Sequence, residues 1–225
     1  MKRLLTFVTT LLLASNALAL SLSDLSQQDT ASGLKDALTQ GARAAVEELG
    51  QSGGFSDNPQ LRIELPGKLG AASRTLKMMG MGGQLTQLED SMNRAAEAAV
   101  PQAQDILVNA ISSMSLGDAK TILTGPADAA TRYLEGSSRE QIKALFLPVV
   151  KQATDQVGLA QQYNAFAQQA AGFGVVEQSS ANIENYVAEQ ALDGLFEVIA
   201  EQEASIRQDP AAAATSVARK VFGVL

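Results

Sequence analysis

The residues best placed for acid–base chemistry lie near the end of the chain, in the stretch GLFEVIAEQEASIRQDP (194–210). On a helical projection Glu203 falls inside the apolar stripe that includes Leu192, whereas the other two glutamates of the stretch fall on the opposite side. A carboxylate that faces a core must be paired or protonated. Arg207 follows one helical turn later, so the sequence predicts a structural ion pair between Glu203 and Arg207.

A catalytic role for Glu203 stays open as an alternative, together with Asp193, which lies at the edge of the same stripe. Two carboxylates about 5–10 Å apart can cleave a glycosidic bond. The sequence, however, contains no histidine and no cysteine. These absences exclude Ser-His-Asp triads, histidine-ligated zinc, thiolate metal sites and cysteine nucleophiles. We therefore expect a protein that is not an enzyme and has no cofactor or metal, with a carboxylate-based hydrolase as the least favoured alternative.

A second group of charged residues comprises Asp90, Arg94 and Glu97, which are spaced i, i+4 and i+7 and share a helical face opposite Met92. Such a ladder of alternating charge is typical of an exposed helix surface. If another helix covered that face, the same three residues would form a polar docking seam. The sequence leaves both interpretations open.

Several methionine and phenylalanine side chains could line a pocket for an apolar ligand, because helical bundles can enclose such pockets and methionine adapts its shape. Packing in the core is the competing interpretation. The candidate lining residues are Met78, Met79, Met81, Phe146, Phe166, Phe173 and Phe196.

These side chains must be positioned by helices, because apolar residues recur at helical spacing along most of the chain. Hydrophobic residues make up 46% of the sequence, and there is no tryptophan. A core of small aliphatic side chains favours closely packed helices. We predict an all-α fold, a single irregular multi-helix bundle of about nine helices in residues 31–225. Within it, we expect Ser32 to cap the first helix.

The middle of the chain carries further boundary signals. Gly136 is expected to end one short helix, and Ser137 with Glu140 forms a capping box that would open the next. Pro148 should kink that next helix.

Residues 55–69 break the helical pattern, and Leu61, Ile63 and Leu65 alternate there with polar residues. We predict one short extended strap that lies over the helical core.

The amino terminus has the pattern of a secretory signal peptide. Lys2 and Arg3 precede an apolar run, and Ala17-Leu18-Ala19 is a small-residue cleavage site. We predict a signal peptide at residues 1–19, cleaved after Ala19, and a flexible lead-in at residues 20–30. The protein is then exported and periplasmic. It is not a lipoprotein, because it has no cysteine to carry the lipid.

The charge and hydropathy of the remaining chain limit its partners. The net charge is −7, and removal of Lys2 and Arg3 would make it more negative. An acidic surface repels nucleic acid and anionic lipid, and no polybasic cluster offsets this, so we expect no nucleic-acid partner. No later stretch approaches the length of a membrane span, and we expect no transmembrane segment in the mature chain.

The order of several unusual stretches resembles a known family, the domain of unknown function 4197, found in bacterial envelope proteins. The resemblance covers about residues 30–223. It implies an exported, all-helical protein of a Gram-negative bacterium, and it supplies neither an activity nor a catalytic residue. Some members look like lipoproteins, but the missing cysteine means that this anchoring does not carry over. The matching stretches are GFSDNPQLRIELP, SMNRAAEAAVPQA, ATRYLEGSS and YVAEQALDGLFEVIAEQEASIRQDPAA.

Together these observations predict a non-enzymatic periplasmic helical protein that acts as an interaction or structural module of the cell envelope. Its partner would be another envelope protein, which the sequence does not identify. The alternative is a carrier or sensor of an apolar small molecule such as a lipid. An exposed apolar patch would favour the first interpretation, and an enclosed apolar pocket the second.

Overall fold

A computed structural model describes residues 26–174, 182–213 and 215–223. Within these ranges the chain forms helices and no strands, which confirms the predicted all-α class. The predicted signal peptide lies outside the described residues. Eight described helices have seven or more residues, close to the nine expected. They are α1 (Gln27–Leu49), α4 (Gly82–Ala99), α5 (Gln104–Ser113), α6 (Leu116–Leu123), α7 (Ala129–Gln156), α8 (Leu159–Gly172), α9 (Ile183–Gln208) and α10 (Ser216–Phe222).

Four short elements, together with α4, complete the path between the strap and α5. Two one-turn helices, α2 (Gly67–Ala71) and α3 (Ser73–Leu76), lead into a π-helical turn at Lys77–Met81. A 3₁₀ turn at Val100–Ala103 joins α4 to α5 and carries Pro101 in its first turn. Proline is tolerated there because the first amides of a helix have no intrahelical acceptor.

Helix α9 lies at the centre of the bundle and packs against α1, α4 and α7. The side chain of Asn182 caps its start by accepting a hydrogen bond from the backbone N–H of Asn185. The helix ends at Asp209-Pro210, since proline cannot continue the hydrogen-bond ladder. Its buried face runs almost the whole length of the helix and carries Glu203 into the core.

The first helix begins earlier than predicted. Ser26 is its N-cap and accepts a hydrogen bond from the backbone N–H of Asp29. Ser32 therefore lies inside α1, and the predicted cap at Ser32 is wrong. Residues 27–30 of the predicted flexible lead-in are helical, whereas residues 20–25 lie outside the described part of the chain. The helix thus uses as its cap Ser26, which lies nearer the amino terminus than Ser32.

Helix α7 runs without a break through Gly136, so the predicted helix end and the capping box at Ser137 and Glu140 are wrong. The hydroxyls of Ser137 and Ser138 instead donate to the carbonyl oxygen of Leu134, in the preceding turn. Glycine inside a helix costs about 1 kcal/mol relative to alanine. The packing of α7 against α4 and α9 outweighs this local preference. The helix also continues through Pro148.

The predicted strap is present as a non-helical segment between α1 and α2. Ile63 and Leu65 are buried, and Leu61 packs half-buried against the core. Phe55 is fully buried beside α9, where a Cβ at Gly194 would lie 2.7 Å from its ring. The strap thus depends on a glycine in the central helix for its close approach.

Among the described helices, none combines the length and the apolar character that a membrane span requires.

Candidate functional site

Glu203 lies at the centre of a buried polar cluster that joins α9 to the start of α7. The residue is only 4% exposed. Oε2 accepts hydrogen bonds from the backbone N–H and the hydroxyl of Thr131, both at 2.9 Å. Oε1 accepts from the backbone N–H of Ala130 at 3.2 Å. The N-cap residue of α7, Asp128, makes no capping hydrogen bond with its own side chain. Glu203 therefore supplies that cap from another helix.

Arg207 completes the cluster from one turn further along α9. Its Nη2 lies 2.9 Å from Glu203 Oε1, and its Nε also donates to that oxygen, at 3.2 Å. The same Nη2 donates to the carbonyl oxygen of Ile122 at the end of α6. The guanidinium lies 5.9 Å from the ring centre of Phe222 in α10, which adds a cation–π contact. The Glu203–Arg207 pair thus fastens four helices at one point.

Glu97 makes a second buried carboxylate cluster, on α4. A single oxygen, Oε1, accepts from the backbone N–H of Gly53, Phe55 and Ser56 at 3.0–3.2 Å, and from the Ser56 hydroxyl at 2.8 Å. Consecutive backbone amides that point at one anion make a concave binding site for negative charge. Gly53 has φ +94°, a conformation that glycine adopts without strain. Glu97 thereby holds the loop that follows α1.

Asn93, one turn before Glu97, holds the strap itself. Its Oδ1 accepts from the backbone N–H of Ile63, and its Nδ2 donates to the carbonyl oxygen of the same residue, both at 2.9 Å. The side-chain amide thus replaces the partner strand that an extended segment would otherwise need. Because Asn93 is fully buried, both hydrogen bonds are shielded from water.

Arg62 fixes the outer edge of the strap to α4. Its Nη2 lies 2.7 Å from Asp90 Oδ1 and 3.6 Å from Glu89 Oε2. The hydrogen bond to Asp90 is the largest cause that raises the pKa of Arg62. Burial raises the pKa of Glu89, and the charge of Arg62 opposes that shift only in part. The strap is therefore held by charge at its edge and by Asn93 at its centre.

The structure separates the three residues of the predicted polar seam. Asp90 contacts Arg62, whereas Glu97 contacts the loop at 53–56. Both acidic residues therefore face the strap and its loop. Arg94 is exposed instead. The covering element is the strap, not another helix. The buried polar residues of α4 are Glu89, Asn93 and Glu97, which recur every four residues.

Asp193 belongs to a surface cluster between α7 and α9. Arg139 lies 2.6 Å from Asp193, 2.8 Å from Glu189 and 2.8 Å from Glu135. Lys143 pairs with Glu189 as well. Hydrogen bonds from Lys143 and then Arg139 are the main causes that lower the pKa of Glu189. Asp193 thus forms an ion pair with a cation of the neighbouring helix, and it does not approach Glu203 through any described hydrogen bond.

The predicted pocket residues do not form a common wall. Met81, Phe146, Phe166 and Phe196 are buried members of the core, whereas Met78, Met79 and Phe173 are exposed. Phe166 also lines a groove of about 350 Å³ between α4 and α8. That groove is rich in amide side chains, because its walls include Gln84, Gln87, Gln162 and Gln169. The core interpretation fits the four buried residues, and the other three need a different explanation.

The exposed methionines lie on a short segment that we call the methionine tip, residues 74–80. Met78 is 76% exposed and Met79 is 42% exposed, the former being the highest value among the exposed large hydrophobic side chains of the described residues. Leu76 within the tip and Met81 directly after it are buried and fasten the segment to the core. Gly80 has φ +84° and lets the chain reverse into α4.

Potential metal ligands do not gather in the described ranges, where no three acidic side chains are grouped to hold an ion. Oε1 of Glu97 and both carboxylate oxygens of Glu203 instead accept hydrogen bonds from N–H and O–H donors. In the same ranges, no buried side-chain nitrogen or oxygen lacks a hydrogen-bond partner. The buried charged groups therefore act on the fold by joining helices to one another and to the strap.

Sequence reasoning missed Glu89, Asn93, Arg62 and Arg139. One signal could have found the first two, because Glu89, Asn93 and Glu97 recur at i, i+4 and i+8 beside the apolar stripe of α4. Arg139 gave no local signal, since two of its three partners lie on α9.

No curated protein and no solved structure matches this chain. The family model described as "Protein of unknown function (DUF4197)" matches residues 24–223. This match covers nearly all of the residues that form the bundle, including both carboxylate clusters and the methionine tip. The chain belongs to the DUF4197 family of proteins of unknown function.

Proposed function

We propose that the protein is a non-enzymatic interaction module of the bacterial cell envelope, exported to the periplasm, which docks to an envelope component through the methionine tip. The observation that carries this proposal is the pair of exposed methionines, Met78 and Met79, on a turn fastened by buried neighbours. A contiguous exposed apolar patch on a soluble protein often marks a site that contacts a partner. Methionine is also common at surfaces that adapt to a partner.

The arrangement of carboxylates supports a role without catalysis. General acids and bases need an open position for substrate beside the reactive oxygen. Both carboxylate oxygens of Glu203 accept hydrogen bonds, from backbone amides, the Thr131 hydroxyl and Arg207, and these bonds fill the directions that a substrate would use. The charged groups then stabilise a scaffold that presents the tip.

The residues at the amino terminus support the compartment. Lys2, Arg3 and the Ala17-Leu18-Ala19 motif have the composition of a signal for export. Fractionation of cells that produce the full chain tests this part of the proposal. We expect the processed protein in the periplasmic fraction, and cytoplasmic protein of unprocessed mass would contradict it.

Photocrosslinking in intact cells tests the docking site. A photoreactive amino acid is placed at Met78 in the full chain, and a matched variant carries it at Leu116, which is 47% exposed on α6. We expect a discrete crosslinked product from position 78 that is absent from position 116. Equal products from both positions, or none from position 78, would contradict docking through the tip.

A further inference from the structure

We infer that the envelope component contacted by the methionine tip is an anionic lipid bilayer surface, with Met78 and Met79 inserted among the headgroups and Arg74 and Lys77 bound to lipid phosphates. This inference rests on the proposed function and adds the chemistry of the partner.

The charge of the tip is opposite to that of the whole protein. The chain has a net charge of −7. Residues 65–88, however, contain Lys68, Arg74 and Lys77 and not one aspartate or glutamate. Arg74 and Lys77 are exposed on either side of buried Leu76. An acidic protein that concentrates cations around its exposed apolar side chains is matched to an anionic partner.

The surroundings of the tip are open. An added Cβ at Gly67, Gly80 or Gly83 would meet no atom within 4 Å. These glycines flank the methionines on both sides along the chain. Met78 and Met79 are themselves exposed, so the turn that carries them is accessible from solvent. An accessible apolar turn can enter a soft surface without requiring a shaped partner.

The composition of the tip fits the boundary between headgroups and acyl chains. Proteins that bind this boundary place apolar side chains below the headgroups and lysine or arginine beside the phosphates. Met78 and Met79 supply the apolar part, and Arg74 and Lys77 supply the charge. Buried Leu76 and Met81 hold the turn from below, so insertion requires no unfolding of the bundle.

A specific protein partner fits the tip less well. A stable protein–protein interface buries about 800 Å² on each partner and is centred on a well-packed apolar core. Two exposed methionines on one short turn supply a much smaller apolar centre. A second copy of this chain, docked tip to tip, would bring Arg74 and Lys77 of both copies together and would be repelled. Binding to a bilayer requires neither a large flat face nor a matched pocket.

Vesicle co-sedimentation of the mature full-length protein tests this inference. The probes are phosphatidylcholine vesicles with and without phosphatidylglycerol. We expect binding to the anionic vesicles and little binding to the neutral ones. At about 1 M salt, where the Debye length is about 3 Å, the difference between the two should largely disappear.

Two tip variants separate the charge from the apolar contribution. In R74Q/K77Q the partition coefficient for anionic vesicles should fall on the order of 10-fold or more. In M78S/M79S it should fall by about 10-fold, because the inserted apolar area is lost while the charge is kept. All four side chains are exposed. The variants should therefore keep the circular dichroism spectrum and melting temperature of the parent.

Matched controls are the exposed cations Arg94 and Lys220 and the exposed apolar residue Leu145, all outside the tip. R94Q/K220Q removes the same charge as the first tip variant, and L145S removes exposed apolar area. Both should bind anionic vesicles as the parent does. An equal loss in control and tip variants would overturn the inference, since binding would then follow net charge alone.

The in-cell crosslink distinguishes this inference from the proposed function. If vesicles fail to bind while position 78 crosslinks to a protein, the membrane inference is overturned and the interaction module stands. If the protein does not bind vesicles and position 78 gives no crosslinked product, both the membrane inference and the proposed function are overturned. Vesicle binding that depends on both tip pairs, together with a crosslink from position 78 to lipid in cells, supports both. Vesicle binding without any crosslink from position 78 would overturn both, because the tip would then not dock in the cell.

Discussion

Glu203 on α9 caps the amino terminus of α7 by accepting two hydrogen bonds from Thr131, one from its backbone N–H and one from its hydroxyl. The two residues are 72 positions apart in the chain. The start of a helix carries a partial positive charge and unpaired amides, both of which a carboxylate satisfies. Glu203 thus pairs with Arg207 within α9 and also fixes where α7 begins.

Glu203→Ala should lower the free energy of unfolding by about 3–5 kcal/mol, because it leaves both Arg207 and the α7 amides without their partner. Glu203→Gln should cost less, since the amide oxygen can still accept one of the hydrogen bonds. Urea unfolding followed by circular dichroism measures both values.

The matched control is Glu201→Ala, because Glu201 is an exposed residue of the same helix. Its effect should lie within about 0.5 kcal/mol of the parent. If Glu201→Ala and Glu203→Ala cost the same, the cluster around Thr131 does not stabilise the fold.

Glu97→Ala should release the loop after α1 before it unfolds the bundle. Hydrogen exchange at the amides of Gly53, Phe55 and Ser56 should become faster, because these amides lose their acceptor. The global cost should be about 2–3 kcal/mol, typical of hydrogen bonds to a buried charge. Exchange resolved by residue measures both the local and the global effect.

Glu47→Ala is the control for this variant, since Glu47 is exposed on α1. It should leave exchange at residues 53–56 unchanged. A uniform acceleration across all helices in Glu97→Ala, with no excess at these amides, would show that Glu97 acts on the whole fold and not on this loop.

The helical class and the ion pair could be predicted from sequence because both depend on local spacing. Apolar periodicity indicates a helix, and Glu203 with Arg207 stands at i, i+4 within the apolar stripe. Thr131 could not be identified as a partner, because its contact with Glu203 depends on how two distant helices pack. Local spacing predicts the Glu203–Arg207 pair, whereas Thr131 joins that pair only through tertiary packing.

The errors in the sequence reasoning arose where tertiary packing overrides a local signal. Gly136 and the Ser137–Glu140 pattern indicate a boundary, yet α7 passes through them because α9 and α4 cover its apolar face. Glu97 had the spacing of an exposed salt-bridge ladder. It is buried because the strap folds over α4, and no local pattern shows that contact.

Gly194→Ala should destabilise the protein by about 1–3 kcal/mol, the usual cost of overpacking a core. The added Cβ would lie 2.7 Å from Phe55 Cε1, so the ring or the helix must move. In a Phe55→Leu background the same change should cost much less, because the ring is gone. Thermal unfolding of the four proteins gives the coupling energy between the two positions.

Gly136→Ala supplies the matched helical control. A Cβ at Gly136 meets no atom within 4 Å, and the residue lies inside α7. The change should therefore stabilise the protein by about 0.5–1 kcal/mol. Destabilisation at Gly136 would contradict the continuous course of α7, and a neutral Gly194→Ala would contradict the close contact with Phe55.

Glu189 and Glu89 should make opposite contributions to the change in the free energy of unfolding with pH in acid. The pKa of Glu189 is lowered from 4.5 by Lys143 and Arg139. A carboxyl with a lowered pKa in the folded state adds stability above its unfolded pKa and loses it as the pH falls through the folded value. The parent should therefore be more stable than Glu189→Gln at neutral pH, by less than about 1 kcal/mol because this ion pair is at the surface and only half-buried. The difference in stability should disappear in acid.

For Glu89 the sign is reversed, because burial raises its pKa above 4.5. A raised pKa means stability that is present below the unfolded pKa and lost as the pH rises through the folded value. The stability of Glu89→Gln relative to the parent should thus increase as the pH rises above about 4, because the raised pKa of Glu89 already includes the opposing charge of Arg62. Urea unfolding at a series of pH values measures both slopes. If the two variants shift the slope in the same direction, burial of Glu89 under the strap does not govern its ionisation.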